Sequence, residues 1–149
     1  MESILNRLNY WIQVLPKEYQ TMPEEEISKR PFPNKWSKKE ILGHLCDSAI
    51  HNLQRFITIQ YEKPTYKITP YEQDEWVAIQ AYQNKSLNDI IILFQALNKQ
   101  IVSVIEMIPK EKLTIPCDIQ NNQIQTLEWL IQDYVDHMEH HIYNQIFKK

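Results

Sequence analysis

Glycine is almost missing from this chain: Gly43 is the only one in 149 residues. An all-β protein depends on glycine for its turns, and a helical one needs little. The shortage therefore points to an all-α fold. Cysteine is scarce as well. Cys46 and Cys117 lie far apart with no CxxC spacing, as expected of a reduced, cytoplasmic protein. No apolar run approaches the roughly 20 residues of a membrane span. The opening "MESILNRLNYWIQVLP" has neither the basic start nor the long apolar run of a signal peptide. No basic stripe stands out and the formal net charge is -3, which speaks against a nucleic-acid partner.

What is present suits a packed single domain over residues 1–149. Hydrophobic residues make up 43% and charged ones 23%, enough for a core and too few charges for global disorder. Four long helices are expected. The first covers Ser3 to Val14 or a little beyond. The stretch "LPKEYQTMPEEEISKRPFPNKW" holds four prolines and reads as a connection, with "PEEE" able to open one short helical turn. The second helix opens at "SKKE", where Ser37 and Glu40 have capping-box spacing, and runs to about Gln60. The third opens at Ser86 and stops before Pro109. The fourth runs from about Thr126 to Phe147. Between the second and third lies a long connection, "PTYKITPYEQDEWVAIQAYQNK", with a short helix near Asp74 to Tyr82. Connections of that length in a compact domain are more often functional than idle. Four helices joined by long crossovers predict a four-helix bundle, with no sheet larger than a short pair of strands.

Three of the five histidines fall in "HMEHH", His137 to His141. At about 100° per residue, His137 and His141 sit at about 0° and 40°, on the edge of the fourth helix's apolar stripe, and His140 near -60°, off it. An i, i+4 pair places two imidazoles one turn apart, as chelation on a helix requires. The alternative is a polar helix face that happens to carry imidazole. On the second helix His44, Ser48, His51 and Arg55 form one ridge beside the apolar face. If the two helices pack, His44 can complete a three-histidine set. Otherwise His44 merely packs, and a carboxylate such as Asp47 or Asp133 supplies the third ligand. By angle Asp47 lies off the ridge, where a helix-surface role is expected. Gly43, costing about 1 kcal/mol against alanine in a helix, suggests a close approach at that point. Trp36, Trp76 and Trp129 are expected as core anchors.

"KWSKKEILGHLCDSAIHNLQRF", "YEKPTYKITPYEQDEW" and "DYVDHMEHHIYNQI" in that order resemble the DinB/YfiT superfamily. Within it they look like the YfiT branch of metal-dependent hydrolases, related to bacillithiol transferases. The matching features are a tryptophan before the second helix, "GHLCDS", an arginine eleven residues after that histidine, a "PY" connection ending in tryptophan, and the closing HxxxH. The resemblance implies a four-helix bundle, frequently dimeric, with zinc or nickel held by His44, His137 and His141. It places Arg55, Tyr71 and Trp76 at motif positions near the site, without firm roles.

Three neutral imidazoles would leave an open metal position, as catalytic sites do. A thiol held there as thiolate would attack a small electrophile, a low-molecular-weight thiol serving as cosubstrate. This S-transfer is the first reading. Hydrolysis by metal-activated water is the second, and a metal-binding helical module without turnover is the third. Arg55 is placed to hold a carboxylate, and Asp136 or Asp47 to support an imidazole N–H.

Overall fold

The computed structural model describes residues 1–148. Four long helices dominate: α1 (Glu2–Thr21), α3 (Lys38–Thr58), α5 (Leu87–Glu106) and α6 (Leu127–His141). The shorter α2 (Glu24–Ser28) and α4 (Gln73–Gln80) lie in the connections. α1 packs on α5 and α6, and α3 packs on the same two helices. The bundle therefore runs α1–α5–α3–α6 around its axis. The second and fourth long helices are neighbours, which the three-histidine set requires.

Local chemistry explains the helix starts. Ser37 and Glu40 form the full capping box of α3, each side chain bonded to the other's backbone N–H. Ser86 Oγ accepts from Asp89 N, and Thr126 Oγ1 from Trp129 N, at the starts of α5 and α6. α1 extends well past Val14, with Pro16 inside it. Proline at that position deprives the Ile12 carbonyl of its helical partner. Gln95 Nε2 of α5 supplies a replacement bond to that oxygen at 3.4 Å, so the packing partner carries the helix through its proline.

α6 ends differently from a plain helix. Its last turn, Ile142–Ile146, is π-helical, closed by Phe147 N donating to Ile142 O at 2.9 Å. Such turns are rare and frequently mark functional positions.

Besides the length of α1, two expectations need correction. Three strands, β1 (Tyr66–Lys67), β2 (Pro116–Asp118) and β3 (Ile124–Thr126), form one small sheet in the order β1-β2-β3. β1 runs parallel to β2, and β3 antiparallel to it. The hairpin alone would be a short pair. The third strand arrives because the crossover after α3 and the one after α5 meet and satisfy each other's backbone groups. The shortage of glycine is handled within the turns: Ala81, Gln120, Asn121 and Asn122 take positive φ themselves, a conformation asparagine tolerates well.

The second correction concerns the tryptophans. Trp129 is exposed, and Trp36 and Trp76 are only half-buried, whereas Trp11 of α1 lies in the core. Trp36 and Trp76 instead pack against histidines. Among the described residues no helix is long and apolar enough to cross a membrane.

Candidate metal centre

α3 and α6 bring His44 and His141 together, their ring centroids 4.8 Å apart. His137 lies 5.1 Å from His141 on the same helix. The three rings thus meet around His141. His44 and His141 are buried, with relative exposures of 1% and 9%. His137 is exposed, as is His140. The helical wheel placed His137 with its partner facing inward, and only His141 does so. His137 sits where the stripe ends and the helix surface turns to solvent, so nothing covers it. His140 is bonded outward, its Nδ1 accepting from Asn144 Nδ2 at 3.0 Å.

The chemistry of the two buried rings suits a ligand. Burial, followed by the neighbouring His141 and His137, pushes the His44 imidazolium down to about 3. Burial also lowers His141, against a smaller opposing effect of its Gln145 bond. Both rings are neutral at physiological pH, the form that binds a metal. His141 Nδ1 faces Gln145 Oε1 at 2.6 Å. A carboxamide oxygen only accepts, so Nδ1 carries the proton and Nε2 keeps its lone pair.

That Nε2 has no partner, and neither has His44 Nδ1. Among the described residues only four buried side-chain N or O atoms lack a hydrogen bond: these two, Asp47 Oδ2 and Tyr71 Oη. Buried polar groups are normally satisfied, so two of the four falling on adjacent imidazoles fits a metal-holding role. Among the described residues, no three His, Cys, Asp or Glu side chains already stand in an ion-holding arrangement. The exposed His137 is the ring that would have to turn.

Asp47 contradicts its expected place on the helix surface. It is completely buried, its Oδ1 accepting from Tyr82 Oη at 2.7 Å and Gln80 Nε2 at 3.0 Å. The crossover between α3 and α5 folds over this side of α3 and converts a surface into an interior. The same crossover explains Gly43: a Cβ there would overlap the Tyr82 ring. Burial raises the Asp47 carboxyl, only partly offset by Tyr82 and Gln80. Asp136, the other expected support for an imidazole, instead pairs with Arg7 of α1 at 2.6 Å.

Tyr71 and Trp76 gather around His51, a residue left outside the expected site. Tyr71 stacks on His51 with ring centroids 3.7 Å apart and planes 5° from parallel. Trp76 meets His51 edge-on at 4.3 Å. His51 is held by its Nδ1 against the Asp47 carbonyl at 2.8 Å. Arg55 Nη2 donates to Thr69 O at 2.9 Å and pins the crossover. Burial lowers the Arg55 guanidinium and raises the Tyr71 phenol to about 12. The site thus has two parts along α3, the histidines at His44 and an aromatic cluster one to two turns further on, with Asp47 between them. Gln145 and the buried state of Asp47 escaped sequence reasoning. The i+4 spacing of Gln145 from His141 was the available signal for the first.

Trp36 lies against His44, centroids 4.7 Å apart, and lines a cleft of about 1040 Å³ that also reaches Gln145.

Comparison with known proteins agrees with this architecture. The structure matches that of YfiT from Bacillus subtilis, described as a probable metal-dependent hydrolase with an unusual four-helix bundle topology. The TM-score is 0.84 at 20% identity, over 95% of this chain and 81% of that one. The chain is 24% identical over 139 residues to a protein of Oceanobacillus iheyensis named "putative metal-dependent hydrolase OB0413", covering 93% of this chain and 79% of that one. It is 22% identical over 143 residues to a Halalkalibacterium halodurans protein named "putative metal-dependent hydrolase BH0277", covering 88% and 82%. The model of the DinB superfamily matches residues 11–144, and with that span this four-helix bundle belongs to the DinB superfamily.

Proposed function

We propose that this protein is a metal-dependent enzyme acting on small molecules, with His44, His137 and His141 holding one divalent ion, zinc or nickel. The observation that carries this is the pair of buried, neutral imidazoles, 4.8 Å apart, in which His44 Nδ1 and His141 Nε2 have no partner. A packing histidine would satisfy both nitrogens or expose one, because an unpaired buried polar atom costs about 1–3 kcal/mol. His137, exposed and one turn from His141, is free to swing in as the third donor.

A bound divalent ion would supply a nucleophile near neutral pH, by acidifying a coordinated water or thiol. The chain's own residues do the rest. Gln145 fixes the tautomer of His141. Trp36 covers His44 and keeps bulk water from the ring's face. Arg55, Tyr71 and Trp76 secure the crossover against the next turns of α3, where the Tyr71 hydroxyl is buried without a partner.

Hydrolysis is the reaction the names of the relatives support. Transfer of a low-molecular-weight thiol to a small electrophile is the reading the family resemblance supports. Neither buried cysteine serves as an internal thiol: Cys46 sits against the Ile90 carbonyl in the core and Cys117 in the small sheet, and burial pushes both thiols up. A thiol would therefore come from outside. The test is metal analysis of protein purified without a histidine tag, then an activity screen with and without added thiol. Stoichiometric metal is expected. Its absence from wild-type protein under metal-replete conditions would overturn the proposal, and turnover that needs no thiol selects hydrolysis.

A further inference from the structure

The cleft beside Trp36 has a charge unlike that of the chain. The whole protein carries -3, yet Lys29, Lys35, Lys38 and Lys148 line this cleft against only Glu26 and Asp74. Lys38 is already paired with Glu26 at 3.2 Å. Among the described residues, Lys29, Lys35 and Lys148 have no carboxylate partner. The lining also has an apolar part, Pro31, Phe32, Trp36 and Ile41, with Phe32 63% exposed. An exposed phenylalanine beside unpaired lysines pairs an apolar surface with cationic heads. No histidine lines the cleft, but two of its lining residues touch them: Trp36 packs on His44 and Gln145 bonds His141. The cleft volume of about 1040 Å³ lies just above the usual range of small-molecule sites, roughly 300–1,000 Å³.

We propose that this cleft is the substrate site and that it selects a small organic anion. The apolar body lies on Trp36 and Phe32, and a carboxylate or phosphate is held by Lys29, Lys35 and Lys148. The assignment rests on the proposed metal centre for what happens to the substrate, but not for how the anion is recognised. Lysines serve here as mobile point charges, tolerant of either anionic group.

The test titrates the full chain with benzoate, phenyl phosphate and the neutral benzamide, by calorimetry at low salt. Wild-type protein is compared with the Lys35→Glu/Lys148→Glu double variant. A Lys99→Glu/Lys110→Glu variant matches its charge change at exposed positions outside the cleft. Both anions should bind more tightly than benzamide, and the cleft variant should lose about tenfold in affinity, an effect fading as salt screens the charges. The control variant should bind as wild type does. The benzoate and phenyl phosphate arms show which anionic group is preferred. Equal binding of all three probes, no binding, or equal losses in both variants would overturn the proposal. Repeating the titration after chelation separates it from the metal centre. Anion affinity that vanishes with chelation and ignores the lysines would sink the cleft and leave the metal reading standing. Lysine-dependent affinity in a wild-type protein that never binds metal would do the reverse.

Discussion

Gln145 holds His141 from one turn further along the chain, its Oε1 accepting the Nδ1 proton at 2.6 Å. The bond turns a titratable ring into one with a fixed proton and a fixed lone pair. It spans the junction where the π-helical turn Ile142–Ile146 follows α6 without a break. The turn keeps Gln145 close to His141 while the apolar Ile142 and Ile146 stay buried.

Gln145→Ala should therefore weaken metal binding while leaving the fold intact. Outer partners of metal-bound histidine are worth roughly 10–100-fold in affinity. Gln145→Glu, which keeps an acceptor at that place, should retain most of it. Competition against a chelator of known affinity measures both. Equal affinity in Gln145→Ala and wild type would mean that His141 does not ligate through Nε2.

His137 and His140 offer a sharper contrast. Both are exposed, so burial does not tell them apart; direction does. His137 lies 5.1 Å from His141, whereas His140 lies 6.0 Å away and is bonded to Asn144. Tag-free His137→Ala and His141→Ala proteins should lose their metal, and His140→Ala should keep it, read by elemental analysis. Equal loss in all three would remove His137 from the site.

These contrasts show what was legible in the sequence. Ser37, Ser86 and Thr126 announced the starts of α3, α5 and α6 because capping is a local interaction between near neighbours. The pairing of His44 with His141 could be anticipated for a related reason: each sits on a ridge defined by its own helix, and only the adjacency of α3 and α6 had to be supplied. Pro16 and Asp47 were misjudged because their states are set by partners distant in sequence. Gln95 rescues the first, and Tyr82 with Gln80 cover the second. The third strand failed for the same reason, since it needs two crossovers to meet.

Gly43→Ala tests the close approach between α3 and the crossover. A Cβ would overlap the ring of Tyr82, which is fully buried and anchored through its hydroxyl to Asp47. Overpacking of this kind costs about 1–3 kcal/mol, against a gain of about 1 kcal/mol in helix propensity. The clash should win, because the overlap reaches Cγ at the ring's base and the hydroxyl at its tip is anchored. A lower Tm is expected, with partial recovery on adding Tyr82→Leu. A Tm above wild type for Gly43→Ala would show that the ring moves freely.

Asp47→Asn asks why a carboxylate is buried with one oxygen unpaired. Burial raises its folded-state pKa above the ordinary 3.8. A raised acid favours the fold while protonated, so that stability is fully present below the ordinary value. It is lost as pH rises through the folded-state value. At neutral pH the full cost of the charge is therefore being carried. Asparagine keeps an oxygen for Tyr82 and Gln80 and removes the charge. The variant should melt above wild type at pH 7, with the difference shrinking to nothing near pH 3, followed by thermal unfolding across that range. A lower Tm at pH 7 would show that Oδ2 has a stabilising partner of its own. The expected gain would mean the opposite: a carboxylate held against the stability of its own fold, on the helix that carries His44 and beside the Tyr71 cluster, as proteins hold groups that meet a ligand.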